Sequence, residues 1–190
     1  MINVVLFGGN GYVGSNFVKE WLAHGPANVH FYVFTRTVTS RQNDYVTDVK
    51  VDVTDEQAVL AVLPERVDYI IDFVGAPSKN PQTFDQLNYQ PARVMQTVAE
   101  QKHVRAMGFI GGILGPRKFT HAKKKIIKQL QASSIPLAVV EPTLIYGASR
   151  NDAMTRNVPF LKFLGLFLSR FKPVLVTEVV NELREQLLKF

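Results

Sequence analysis

Ile2-Asn3-Val4-Val5-Leu6-Phe7-Gly8-Gly9-Asn10-Gly11-Tyr12-Val13-Gly14 is a short apolar run that breaks into spaced glycines. Residues 2–7 are rich in β-branched and apolar side chains, the pattern of a strand buried on both faces. From Tyr12 to His24 the apolar residues Val13, Phe17, Val18, Trp21 and Leu22 recur at helical spacing, and Gly25-Pro26 stops the run. Each glycine between strand and helix has a separate task. Gly8 permits a tight turn, Gly11 lets the backbone approach a bound group, and Gly14 lets helix and strand pack closely. The turn amides and the helix dipole then form an anion site. In this context the spacing predicts the pyrophosphate cradle of a dinucleotide, with Gly8, Asn10, Gly11, Tyr12, Val13 and Gly14 as its residues.

Outward from this turn, strand and helix alternate. Strands are expected at 29–35, 48–53, 67–74, 104–110, 137–141 and 174–176, and helices at 56–63, 83–102, 120–132 and 178–189. Thr54 has the form of an N-cap in a capping box, Pro91 is expected to kink or split its helix, and Thr177 is expected to cap the last one. Near-continuous apolar strands joined by helices imply an α/β fold: a doubly wound parallel sheet covered on both faces. Such sheets bind ligands at the carboxyl ends of the strands.

The second strand ends Phe34-Thr35-Arg36-Thr37, with Arg41 close behind and no acid before Asp44. An acid there would hold the ribose 2′-hydroxyl of NAD, whereas an arginine accommodates the 2′-phosphate of NADP. Arg36 therefore leads to the expectation of NADP(H) over NAD(H). Asp52 and Val53, after the third strand, are placed to meet the adenine. Phe73, Val74 and Gly75, after the fourth, are placed to line the cofactor.

The turn GGNGYVG, the VDVTD and FVGA segments, the LNYQPARVMQTVAEQK helix and the EPTLIYG segment occur in one order. With them the chain resembles the short-chain dehydrogenase/reductase superfamily, in its atypical and extended branch related to sugar-nucleotide epimerases and NmrA-like proteins. The resemblance implies a Rossmann-like fold and a catalytic serine after the fifth strand, with Tyr-x-x-x-Lys on the next helix. There the tyrosine exchanges a proton with the substrate, and the lysine lowers its pKa and holds the nicotinamide ribose. This chain has Gly111 where the serine is expected and Phe119 where the tyrosine is expected, and phenylalanine has no proton to exchange. Lys123 remains, as a cofactor ligand and candidate catalytic group. His121 and Tyr146 are further catalytic candidates, with Tyr89 behind them. Glu141-Pro142 replaces the family's arginine before proline, and Pro142 joins the expected cofactor residues.

The chain has 190 residues, 46% hydrophobic and 20% charged, with a net charge of +6 and no cysteine. This composition excludes disulfides and thiolate chemistry, and it suits one globular domain. No metal site is expected. The basic residues are spread along the chain, so no nucleic-acid partner is expected. The N-terminal residues do not read as a leader, and a cytoplasmic protein is expected. The stretch VPFLKFLGLFLSRF, from Val158 to Phe171, is too short to span a bilayer. It reads as a lid, an interfacial helix touching a membrane peripherally, or a dimer contact. The chain is thus expected to form a single NAD(P)-binding domain, as monomer or homodimer, with a short substrate-side or lid segment from about 148 to 190. Three functions follow. One is an NADPH-dependent reductase of a small or lipid-like acceptor with a non-standard active site. The second is a catalytically silent cofactor-binding sensor or assembly factor, free or membrane-associated. The third is a peripheral membrane scaffold using the 158–171 stretch.

Overall fold

The computed structural model of the chain describes residues 1–37, 44–148 and 173–190. The elements run β1 (Ile2–Phe7), α1 (Tyr12–His24), β2 (Val29–Thr35), β3 (Val46–Lys50), α2 (Glu56–Val62), β4 (Tyr69–Asp72), α3 (Pro81–Lys102), β5 (Ala106–Ile110), α4 (Arg117–Gln131), β6 (Leu137–Val140), β7 (Ile145–Tyr146), β8 (Val174–Leu175) and α5 (Val176–Leu187). Six strands form one parallel sheet in the order β3-β2-β1-β4-β5-β6, and β7 pairs with β8 in a small second sheet. The chain is a Rossmann-like α/β protein, and the strand order reverses between β1 and β4. The 158–171 stretch lies outside the described residues, as does Arg41.

Alternation along the strands builds two cores. Val4, Leu6, Phe31, Val33 and Ile71 face α1 and α5, where Phe17, Trp21, Val180 and Leu183 meet them. Val5, Phe7, Phe34 and Ile70 face the other way, toward Val59, Met95, Val98 and Ile126 of α2, α3 and α4. Phe17 and Trp21 pack edge-on with centroids 5.4 Å apart, and Trp21 meets Phe31 at 5.8 Å. These aromatic faces bring β1 and β2 into register under α1, which aims the glycine turn over the strand ends.

Several expected boundaries move. The third strand ends at Lys50, paired with Thr35 at the end of β2, because a strand persists only while its neighbour does. Val51 and Val53 stay buried beyond the ladder. Thr54 is not the cap of α2. Its amide and hydroxyl both go to Asp52 Oδ1, and Asp55 accepts from the Ala58 amide at 3.0 Å instead. Helix α3 is continuous through Pro91, with Asn80 accepting from the Thr83 amide at 3.0 Å. Burial of Phe84, Ala92, Met95 and Val98 outweighs the single backbone bond that proline removes. Helix α5 starts at Val176, after Leu175, with no side-chain cap, so Thr177 does not cap it. Among the described residues no helix is long and apolar enough to cross a membrane.

Candidate dinucleotide site

The glycine turn sits where the strand order reverses. Gly8 has φ +70, a conformation that favours glycine, and a Cβ there would lie 3.0 Å from Val74 Cγ2. Gly14 is buried beneath the turn. A Cβ on it would lie 2.6 Å from Gly9 Cα and 2.9 Å from Gly8 O, so the helix could not come this close with any larger residue. Gly11 takes the N-cap position of α1, where no side chain caps the helix and no acid stands in the first turn. The first amides of α1 therefore face the turn without a carboxylate competing for them.

A cavity of about 440 Å³ opens above this turn. Gly8, Asn10, Gly11, Arg36, Asp52, Val53, Phe73 and Val74 all line it. Arg36 is exposed at its edge, and Asp52 Oδ1 is held by the Thr54 amide at 2.9 Å and hydroxyl at 2.8 Å. A second chamber of about 260 Å³ adjoins it at Phe73 and is lined by Val13, Gly75, Ile110, Gly111, Phe119, Lys123 and Pro142, among others. Tyr12 lines neither space; its hydroxyl donates to Gly147 O at 2.9 Å and ties the turn to the segment after β7.

Lys123 is the only ionisable residue lining the chamber, among the described residues. It is 5% exposed, with Nζ 4.3 Å from the Phe109 ring centroid and 5.6 Å from that of Phe119. Gly75 makes room for it, since a Cβ there would lie 2.8 Å from Nζ. Asp72, at the end of β4, is fully buried. Its Oδ1 accepts from the Val74 amide at 2.8 Å, while Oδ2 has no hydrogen-bond partner. Burial pushes the Asp72 carboxyl up to about 7, against the pull of the Lys123 charge and the Val74 amide. Burial likewise brings the Lys123 ammonium down to about 8, with Asp72 opposing. Asn88 lies alongside. Its Nδ2 donates to Ala76 O and Phe84 O at 2.9 and 2.8 Å, and its buried Oδ1 has no partner.

The other candidates stand elsewhere. His121 is exposed on the outer side of α4, beside Arg117, Lys118, Thr120 and Lys124, while Lys123 points inward. Tyr146 lies in β7, one residue past the chamber wall at Ile145. Tyr89 packs against Phe84 with centroids 6.2 Å apart. The sequence reading missed Asp72 and Asn88 as site residues. The signal for Asp72 was there: an acid inside an otherwise apolar strand.

The model of the family described as NAD dependent epimerase/dehydratase matches residues 4–121. The chain belongs to that family. The matched region covers β1 through the first turn of α4 and stops just before Lys123. A sequence search finds no matching curated protein. Solved structures share the fold. The Bordetella bronchiseptica enzyme WbmH in complex with NAD+ superposes with a TM-score of 0.71 at 13% identity, over 98% of this chain and 72% of its own. A UDP-glucose 4-epimerase gives 0.69 at 16% identity, over 94% and 70% of the two chains. A GalE-like L-threonine dehydrogenase from Cupriavidus necator, in its holo form, gives 0.70 at 14%, also over 94% and 70%.

Proposed function

We propose that this chain binds a nicotinamide dinucleotide, NADP(H) in preference to NAD(H), and reduces a small apolar or lipid-like acceptor beside it. One observation carries the reading. The cavity over the glycine turn and the chamber holding Lys123 meet at Phe73, at the point where the sheet order reverses. Solved neighbours of the same fold carry NAD+.

The residues fit such a cofactor. The Gly8 turn and the uncapped start of α1 supply amides for the pyrophosphate. Arg36 supplies a guanidinium fork for a 2′-phosphate, and Asp52 and Val53 border the adenosine side. Gly75 and Pro142 wall the nicotinamide side with Lys123. When bound, the nicotinamide supplies the hydride. Lys123 holds the ribose and keeps a proton at Nζ, and its pKa near 8 suits proton donation close to neutral pH. Gly111 and Phe119 offer no hydroxyl, so acceptors needing little proton help, such as quinones, suit the chamber best.

Binding of NADPH and NADH to wild type and to Arg36→Asp tests the cofactor reading. The variant should lose about 30-fold or more in NADPH affinity and less than about threefold for NADH. Equal losses would remove Arg36 from the 2′-phosphate. NADPH oxidation with a panel of quinones and carbonyls tests the reaction. The replaced hydroxyls also favour a protein that binds the cofactor and does no chemistry, and tight NADPH binding without turnover on any acceptor would select that reading.

A further inference from the structure

Helix α4 has two faces with different occupants. Ala122, Lys123, Ile126, Ile127 and Leu130 are buried against the sheet. Arg117, Lys118, His121, Lys124, Lys125 and Lys128 are all exposed. At 3.6 residues per turn these six fall within an arc of roughly 120°, along a helix about 22 Å long. The helix contains no acidic residue. Among the described residues none of the six makes an ion pair, although Lys118 Nζ also lies 4.5 Å from the Phe84 ring centroid. Ile113, on the loop that leads into the helix, is 36% exposed.

We propose that this cationic face of α4 docks on an anionic phospholipid surface. Exposed lysines near such a surface each add about a fivefold factor to partitioning, through the surface potential. The face suits lipid better than nucleic acid. It carries no Phe, Tyr or Trp for bases to stack on, and four of its cations are lysines, point charges without a guanidinium fork. The apolar Ile113 side chain beside it can enter the headgroup layer. The same loop, through Gly112, Leu114, Gly115 and Pro116, walls the Lys123 chamber. Docking therefore sets a wall of that chamber next to lipid, the source of an apolar acceptor. The docking itself does not depend on the cofactor reading.

Co-sedimentation of the full chain with vesicles tests it, using neutral phosphatidylcholine alone and with about a third phosphatidylserine. Binding is expected only with the anionic lipid, and it should weaken steeply with salt. Replacing Lys124, Lys125 and Lys128 with Gln should cut partitioning about 100-fold, with an unchanged melting temperature. Replacing Lys19, Lys50 and Lys189 with Gln removes the same charge elsewhere and should cost little. Equal loss in both triple variants would assign the effect to net charge and overturn the proposal. So would salt-insensitive binding to neutral vesicles, or binding to a duplex oligonucleotide with none to vesicles. NADPH affinity, measured on the same variants, should match wild type, so a failure of the cofactor reading is scored separately.

Discussion

Lys123→Met should make the cofactor-free protein more stable, and the size of the gain can be worked from the site. The ammonium is enclosed by the Phe109 and Phe119 rings, and its pKa is brought from 10.5 to about 8 by burial. Keeping it charged in the fold at pH 7 costs about 3 kcal/mol. Its contact with the Phe109 face returns about 1 kcal/mol. Asp72, with a pKa of about 7, is already half protonated at pH 7, so losing its countercharge costs little there. Methionine keeps the length of the stem against both rings. The net expectation is a gain of about 2 kcal/mol, or about 4–8 °C in Tm for a domain of this size. The pH dependence is diagnostic. Between pH 8 and 10.5 the unfolded lysine keeps its proton and the folded one gives it up, so wild-type stability rises with pH across that window. The advantage of the variant should therefore be full below about pH 8 and nearly gone by pH 10.5. Thermal and urea unfolding at pH 7 and pH 10 measure it, alongside NADPH binding, which should weaken. A variant less stable than wild type at pH 7 would show that Lys123 holds the fold together, and would refute the argument that a stability cost marks it as functional.

Gly14→Ala should lower Tm by about 4–8 °C and NADPH affinity at least tenfold, because its Cβ would meet the Gly9 and Gly8 backbone, which cannot swing aside. Calorimetry and a binding titration read both. Asp68 tests the far end of the sheet. It is 2% exposed; burial raises its pKa, but the Asn3 amide, Arg66 and Arg105 outweigh this and hold the carboxyl below its ordinary 3.8. Its contribution is therefore complete above about pH 4 and fades as pH falls through the lowered value. Asp68→Asn should cost about 1–3 kcal/mol at pH 7 and progressively less toward pH 2, seen in urea unfolding at both pH values.

The parts legible in the sequence were those decided locally. β1, α1 and β2 fall at their expected residues, because a buried strand, a 3.6-residue face and a Gly-Pro stop each act over a few neighbours. The ends of β3 and the cap of α2 depended on partners. Lys50 is the last strand residue because Thr35 is, and Thr54 failed as a cap because Asp52 competes for its hydroxyl. The lining of the cavity over the glycine turn was equally legible, since Gly8, Asn10, Gly11, Arg36, Asp52 and Val53 all follow strand ends that point to one edge. Lys123 could be placed on a helix, but nothing local told its inward direction apart from that of Lys124. Only its position over Phe109 and near Asp72 does that.

The two halves of the site also differ in how they constrain the residues within them. The cradle is a backbone device, so glycine is required at Gly8 and Gly14 and few side chains matter. The chamber is a side-chain device, and here Phe119 and Gly111 have replaced the hydroxyls implied by the resemblance while Lys123 stays. Phe119 thus offers an apolar ring 5.6 Å from the lysine Nζ, beside the nearer Phe109 ring at 4.3 Å. Desolvation is the cause that brings the ammonium toward 8 and raises the Asp72 carboxyl toward 7. On the proposed reading, the wall at Phe119 gives no proton, and Lys123, whose ammonium burial brings toward 8, is the group left in the chamber to give one.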